Sequence, residues 1–508
     1  VLLFGKRFFC AAPRAVAWRL RALVGATPRP SLETAREWLV IAGQLEQAVC
    51  DEGGWPAAAE ITAGAARLFL DVREGKTGAA ALSQLHGCLS GSIRHLGDRD
   101  VAFRIPEGFA WYGLYPDSYA VTAERWAPLH RGRAVSVIGL LSIGTSLSAV
   151  VAEQLRRCGT QVMARLTLRP AGHPFRRTVA FAGGLPPGEA LIIVDEGPGL
   201  SGSSMAGVAE ALHALGAPKE SIFFFPGHGG GPGHEAGAAQ RRWWENKRCW
   251  HTPAQYLHPA AQPGTAHVFG GFAAVNANLE TLASVKQERQ QRLAAKGLAL
   301  SCRGVAHGWI EIDDTGTPLR QEHGDAEFIS NRLAPYIANA AMPTGDAGSA
   351  TTGLERIAAA LLAWADEQRP GISPEAVWRM QESALEEGMP PLLHGDGRLM
   401  PGQWVRLSDG RVRKRNATGT DWEHGWPGPQ SVLWDVAGAA VEWNLTDRSL
   451  GLLLDVLSRR FGICAGPSAL RFHCAGYCCL RIAEARHGGN PGAQRRYEAA
   501  LKRMEGLW

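Results

Sequence analysis

The stretch Leu191-Ile192-Ile193-Val194-Asp195-Glu196-Gly197-Pro198-Gly199-Leu200-Ser201-Gly202-Ser203-Ser204 constrains the fold of this chain more than any other. Its opening apolar run, rich in β-branched residues, reads as a strand buried on both faces. Such a strand belongs in a parallel sheet covered by helices. Two carboxylates stand at its C-terminal end, a Gly/Ser/Pro loop follows, and the apolar-periodic run from Met205 to Leu215 reads as a helix. A strand, a small-residue loop and a helix N-terminus make an anion site, because backbone N–H groups and the helix dipole point at one spot. An anion repels carboxylates, so Asp195 and Glu196 suit sugar hydroxyls or a bridging cation instead.

The same pattern occurs about fifty residues earlier. Val135 to Leu141 reads as a buried strand, Ser142-Ile143-Gly144-Thr145-Ser146 as a small-residue loop, and Ser148 to Arg157 as a helix. Between the two patterns, the strand from Val162 runs to Arg169 and into a Pro/Gly loop carrying Arg176 and Arg177. The planar guanidinium fork binds phosphate oxygens bidentately; a solvated basic hairpin is the plainer reading. Ser221 to Phe225 is the next strand, and a Gly-rich loop with His228 follows it. Ligands in open α/β sheets collect outside the C-terminal strand ends. His228 is therefore expected at the same crevice, unless it is an idle side chain in a turn.

Residues 191–203 resemble the phosphoribosyl-pyrophosphate signature of type I phosphoribosyltransferases. The match holds at Leu191 to Glu196 and at Gly199 to Ser203. It departs at Gly197-Pro198, where that family has larger apolar residues, and at Leu200, where it has Thr or Ser. The resemblance implies a parallel-sheet α/β domain over residues 101–240, similar to orotate phosphoribosyltransferase, that uses Mg²⁺. By that resemblance Asp195 and Glu196 are catalytic, holding the ribose hydroxyls and Mg²⁺. Gly199, Leu200, Ser201, Gly202 and Ser203 would cradle the 5-phosphate, and Ser142, Ile143, Gly144, Thr145 and Ser146 the pyrophosphate. Arg169 and Arg176 would close over the pyrophosphate, and His228 would meet a nucleobase-like acceptor.

At 508 residues the chain has room for more than this domain. Residues 1–30 read as an arm broken by basic residues, with no assigned role. Residues 31–100 read as a helical cap or a homodimer surface: Ser31 is a helix start, and Trp38, Leu39, Ile41, Leu45 and Val49 recur at helical spacing. The aromatic-rich run from Val101 to Tyr119 suits core filling better than base stacking, and residues 241–264 read as a linker. A net charge of +5 gives no reason to expect a nucleic-acid partner. Ten cysteines over this length suggest reduced thiols in a cytoplasmic protein, and no apolar run is long enough for a membrane partner.

A second constellation lies near the C-terminus: His394-Gly395-Asp396, Gln403, Asp421 and Trp434-Asp435. A carboxylate that receives a hydroxyl proton, with an amide and a second carboxylate on Mg²⁺, is the equipment of phosphoryl transfer. Residues 265–508 resemble the C-terminal lobe of the aminoglycoside phosphotransferase and choline kinase group, an α+β kinase-like fold. The resemblance implies Asp396 as catalytic base, Gln403 and Asp421 as metal ligands, and ATP as cosubstrate. Gln403 stands where that group has Asn, and the loop is about two residues longer than its usual spacing. No Gly-rich phosphate loop is evident, and Lys286 and Lys296 both fall in a predicted helix. Cys464, Cys474, Cys478 and Cys479 read as core cysteines rather than zinc ligands.

Three functions fit these features. One is transfer of ribose phosphate from phosphoribosyl pyrophosphate to a base, with or without a second phosphotransferase step. The next is a phosphoribosyl-pyrophosphate sensor whose inactive kinase-like domain binds a partner. The last is hydrolysis or phosphorolysis of a nucleotide.

Overall fold

The computed structural model describes residues 8–54, 57–181, 183–245, 248–253, 264–343, 350–368, 373–388, 390–419 and 427–505. The arm and the helical region do not stand apart. Strand β1 (Phe8–Ala11) pairs antiparallel with β2 (Val101–Arg104), so the start of the chain closes onto the far end of the cap region. Between them lie α1 (Pro13–Ala26), α2 (Leu32–Asp51), α3 (Ala57–Arg73) and α4 (Ala79–Ser92). The side chain of Ser31 caps α2 by accepting from the Thr34 N–H, as its sequence position suggests.

After β2 come the short α5 (Glu107–Ala110) and α6 (Pro116–Trp126). The aromatics of this run are core: Phe103, Phe109, Tyr115, Tyr119 and Trp126 are all buried. The parallel unit follows as β3 (Val135–Leu140), α7 (Gly144–Arg157), β4 (Val162–Leu168), the hairpin β5 (Ala171–His173) and β6 (Arg176–Thr178), β7 (Ala190–Val194), α8 (Ser203–Ala214) and β8 (Ile222–Phe225). Strand order is β4-β3-β7-β8, all parallel. Every residue of β3, β7 and β8 is buried, which accounts for their apolar character; the one polar side chain, Ser136, donates to Pro187 O. Gly139 pairs with both Thr167 and Val194, and Val194 pairs with Phe225, so the loops after all four strands leave from one edge.

The helical region is fastened to this edge. A Cβ at Gly43 of α2 would overlap the Ser146 hydroxyl, so α2 lies directly on the start of α7. Two buried ion pairs join the same layers: Arg36 to Asp117, bidentate at 2.8 and 2.9 Å, and Arg165 to Glu46 at 2.5 Å.

The expected linker does not begin at residue 241. Helix α9 (Ala238–Glu245) packs on α8, and its Trp244 is buried against Phe224. Residues 248–250 then add a further parallel bridge outside β8: the Phe224 N–H donates to Arg248 O (3.0 Å) and the Trp250 N–H to Phe224 O (2.8 Å). The parallel unit therefore continues at least to Pro253; residues 254–263 lie outside the described set.

Next comes an antiparallel sheet of β9 (Thr265–Phe269), β10 (Cys302–Ala306) and β11 (Trp309–Asp313), ordered β10-β11-β9, with α10 (Leu282–Ala295) between its first two strands in the chain. Polar contacts fix it to the first unit. Tyr115 donates to His307 O, the Trp309 indole donates to Tyr115, and Gln44 bonds both the N–H and the C=O of Ala274. The rest is mainly helical, wrapped around the helix Pro467–His487, in which Cys474, Cys478 and Cys479 are buried core residues, whereas Cys464, expected with them, is exposed just before that helix. Burial pushes the Cys474 thiol up to about 12. No helix among the described residues is long and apolar enough to cross a membrane.

Candidate functional site

The edge where the parallel strands end opens into a cavity of about 1000 Å³. Asp195 and Glu196 line it, placed there by the last turn of β7. The two residues are held from three sides. Tyr119 donates to Asp195 O (2.8 Å), the Gly227 N–H to Glu196 O (3.1 Å), and the Gly108 N–H to Glu196 Oε2 (2.9 Å). Neither carboxylate has a cationic partner among the described ion pairs. Burial pushes Asp195 up to about 7 and Glu196 up to about 8, and Glu107 in the same cavity adds repulsion to both. Both are primed to ionise when positive charge arrives.

The 197–204 loop turns on Gly199 and Gly202, both with φ near +60°. Gly202 is also where the Trp244 indole packs, leaving no room for a Cβ. Ser201 Oγ donates to Ser203 Oγ (3.0 Å), which donates to Pro174 O (2.8 Å), tying the loop to the β5–β6 hairpin. Gly202 gives α8 no side-chain cap. The cavity wall here is Gly199, Leu200, Ser201, Ser203 and Ser204, a small-residue helix start of the kind that receives anions. Gly202 lies behind it.

The loop after β3 contributes less than its sequence suggests. Ser142 and Ile143 line the cavity, whereas Gly144, Thr145 and Ser146 are not among its lining residues. The hydroxyls of Thr145 and Ser146 face α2, within bonding distance of Gly43 O (2.9 Å) and Leu39 O (3.2 Å) respectively. They anchor the helical region instead. Gly144 sits behind the loop, where the Gly139 and Gly144 backbones touch too closely for a Cβ at either.

The two chosen arginines also separate. Arg169 lines the cavity and forms a bidentate pair with Asp51 (2.6 and 2.8 Å). Burial alone would raise the Asp51 carboxyl, but Arg169, with Gln47 and Arg104, outweighs it and holds the group below its ordinary value. Arg176 lies exposed on β6, away from the cavity lining. Arg104, which also reaches Asp51 (3.4 Å), lines the cavity although no motif marks it. Its only signal is its place at the end of β2, just before Ile105-Pro106.

His228 lines the cavity, as expected of a loop after β8, and His251 lines it too. Sequence reasoning missed His251 because it assigned that segment to a linker. Glu107, Tyr112 and Phe175 were also missed as lining residues.

The second constellation is arranged differently. Asp396 is 1% exposed, and its Oδ2 meets Lys414 Nζ (2.8 Å) and the Tyr336 hydroxyl (2.8 Å). The Asp435 carboxylate accepts the N–H groups of Asp396 (2.9 Å) and Gly397 (2.8 Å), and Arg289 donates to Gly395 O (2.7 Å). Asp435 lies in the first turn of the helix Leu433–Glu442, consistent with a structural role. Asp396 was expected to face a substrate hydroxyl, but here its carboxylate is enclosed by protein donors. Gln403 ends a short turn in which its N–H bonds Met400 O and its C=O accepts the Arg415 N–H. Asp421 lies outside the described residues. Lys286 and Lys296 belong to α10 and its C-cap, where Lys296 bonds Asn339.

No family model matches the chain, and no curated relative matches it. Among solved structures it is similar to a choline kinase from Streptococcus pneumoniae, at 13% identity and a TM-score of 0.34 over 44% of this chain and 80% of that one. It is also similar to a choline/ethanolamine kinase family protein from Mesorhizobium loti, at 14% identity and 0.31 over 44% and 77%. A choline kinase from Cryptosporidium parvum Iowa II gives 12% identity and 0.30 over 44% and 78%. These neighbours are kinase-like over part of the chain, at similarities too low to carry an argument about chemistry. The comparisons give no support to a phosphoribosyltransferase domain.

Proposed function

We propose that the chain is a phosphoribosyltransferase that moves ribose 5-phosphate from Mg²⁺-bound phosphoribosyl pyrophosphate to a nucleobase-like acceptor. One observation carries this reading. The loops after β3, β7 and β8, which are separate in sequence, meet around a single cavity floored by Asp195 and Glu196. The helix start at Ser203 takes the 5-phosphate, and Asp195 and Glu196 accept from the ribose hydroxyls. Ser142, Ile143 and Arg169 receive the pyrophosphate. As the C1–oxygen bond breaks, its electron pair leaves with pyrophosphate. The acceptor nitrogen supplies the pair for the new C1–N bond and gives up its proton to a neutral imidazole or to water. Asp195 and Glu196 stabilise the positive charge on the ring between these events.

Among the described residues, no cluster of three His, Cys, Asp or Glu side chains could hold a metal ion. Mg²⁺ does not require such a cluster, because it takes one or two carboxylates and fills its shell with phosphate oxygens and water. Asp195 and Glu196 are the side chains that would touch it, and its contribution is to neutralise the departing pyrophosphate.

Pyrophosphate release by the full chain, with Mg²⁺ and a panel of purine, pyrimidine and pyridine bases, tests the reading. Release that depends on a base and is lost in Asp195→Asn/Glu196→Gln is expected. Absence of any binding of Mg²⁺-phosphoribosyl pyrophosphate would overturn it.

The enclosed Asp396 favours a second reading for the C-terminal region. That region acts as a kinase-like scaffold, and an ATP-dependent phosphotransferase reaction is not its role. ATP consumption by the full chain, with choline or ethanolamine as acceptor, would refute this.

A further inference from the structure

The cavity described above has chemically distinct ends. Its guanidinium groups, Arg104 at the end of β2 and Arg169 just after β4, share Asp51 at the end of α2. That is the β4 edge of the sheet. At the opposite edge, beyond β8, no Arg or Lys lines the cavity among the described residues. The polar side chains there are His228 and His251.

His251 is held in place by its neighbours. Trp250 bonds to β8 through its N–H and packs its ring edge-on against His130. Thr252 shares a hydrogen bond with Thr122 of α6 (2.9 Å), and Arg125 lies within 3.4 Å of His251 O. The His251 ring rests against the Gly229 backbone so closely that a Cβ at Gly229 would overlap it. This brings it beside the His228 loop. No hydrogen bond engages either ring among the described residues. Burial lowers the pKa of both, and each is further lowered by a nearby cation or imidazole: His251 acts on His228, and Arg125 acts on His251. A neutral imidazole offers one N–H donor and one nitrogen acceptor.

We infer that His228 and His251 together form the acceptor-recognition edge of this site, and that the acceptor is an uncharged heterocycle presenting adjacent N–H and C=O groups, not a carboxylate-bearing base. The inference rests on the phosphoribosyl-transfer reading and names its substrate class. A carboxylated base would call for a guanidinium fork, and both forks stand at the other end, engaged with Asp51. A lactam edge needs a donor and an acceptor side by side, which two neutral imidazoles supply. It also keeps the acceptor away from the end of the cavity where Arg104 and Arg169 stand.

The test is equilibrium binding of free bases to the full chain, followed by saturation-transfer NMR, with and without saturating Mg²⁺-pyrophosphate. The probes are uracil and hypoxanthine on one side, and orotate and nicotinate on the other. Binding does not require turnover, so this result stands apart from the fate of the transferase reading, which the pyrophosphate-release assay decides. The lactam bases are expected to bind at least about tenfold tighter than the carboxylated ones, the scale of one good hydrogen bond. His251→Leu and His228→Leu should each remove that preference, and His251→Gln, which keeps a donor and an acceptor, should restore part of it. Where turnover exists, the leucine variants should raise KM for the base while leaving KM for phosphoribosyl pyrophosphate within about twofold. Preference for the carboxylated bases would overturn the inference. So would failure of every probe to bind, leucine variants that bind like the parent, or a rise in the phosphoribosyl-pyrophosphate KM instead.

Discussion

Two acidic pairs sit at the two places where the sequence promises chemistry, and the fold treats them in opposite ways. Asp195 and Glu196 follow a buried strand and face open space, with no ion pair to balance them among the described residues. Asp396 and Asp435 are equally well placed in sequence, but Lys414, Tyr336 and two backbone N–H groups complete their bonding. The difference teaches that a motif states which side chains are present, whereas reactivity depends on which of them the fold leaves unbalanced. A buried carboxylate with no cationic partner has work left to do with a ligand. One already bonded to a buried lysine does that work for the fold.

The sharpest way to break this comparison is to neutralise each pair. Asp195→Asn/Glu196→Gln should lower base-dependent pyrophosphate release by about 10²–10³-fold, the scale of losing a preorganised electrostatic group. Folding should be kept, because no internal ion pair is lost. Retained turnover in the double variant would show that these carboxylates are not the reacting pair.

The same pair carries a pH signature. Their folded pKa values, about 7 and about 8, lie above the ordinary carboxylate range. The folded protein therefore holds more protons than the unfolded chain from about pH 4 upward. Their contribution to stability is intact below the unfolded values and is lost as pH rises through 7 and 8. Binding of Mg²⁺-phosphoribosyl pyrophosphate at pH 7 should expel about one proton as the carboxylates ionise. Calorimetry in buffers of different ionisation enthalpy measures this directly. Proton uptake on binding would contradict the assignment.

For the enclosed pair the expectation is reversed. Asp396→Leu leaves the buried Lys414 without its counter-charge, so unfolding free energy should fall by about 3–5 kcal/mol. In molecules that remain folded, base-dependent pyrophosphate release should persist. Denaturant titration gives the first number, and turnover per folded molecule gives the second. If Asp396→Asn instead folded normally and abolished an ATP-dependent activity, the two pairs would be alike, and the comparison would fail.

How far the sequence could carry these conclusions differs between the regions for a physical reason. The parallel unit was legible because burial on both faces leaves an apolar run that nothing else explains, as at Val135–Leu140 and Ala190–Val194. The carboxylates at its end were legible for the same reason, since a charge directly after such a run marks the strand's exit. What packs across the chain leaves no local trace. Thr145 and Ser146 look like phosphate donors until α2 is seen lying on them. Arg104 and His251 reach the cavity only through the β1–β2 pairing and the extra bridge outside β8. Lys414 is a strand residue that no motif joins to Asp396, so the enclosure of Asp396 had no signature either.

The contact between α2 and the loop after β3 offers a smaller test. Gly43→Ala places a methyl group where the Ser146 and Thr145 hydroxyls now sit. Overpacking of this kind costs about 1–3 kcal/mol. Because Ser142 and Ile143 share that loop, KM for phosphoribosyl pyrophosphate should rise as well. A variant that lost stability with an unchanged KM would show that the helical region supports the fold without positioning the site.

The smallest effect should separate the two arginines that the sequence presents as equals. Arg169 lines the cavity and is oriented by Asp51, whereas Arg176 stands exposed on the hairpin. Arg169→Ala should raise KM for phosphoribosyl pyrophosphate about tenfold, through loss of a charge-assisted bond to phosphate. Arg176→Ala should change it less than about twofold, as expected of a solvated side chain. The hairpin is nevertheless linked to the phosphate loop, through the Ser203 hydroxyl on Pro174 O. If Arg176→Ala matched Arg169→Ala, that link would be the reason: the hairpin would swing Arg176 over the bound pyrophosphate, and the cavity wall would include a residue that the unliganded arrangement leaves outside.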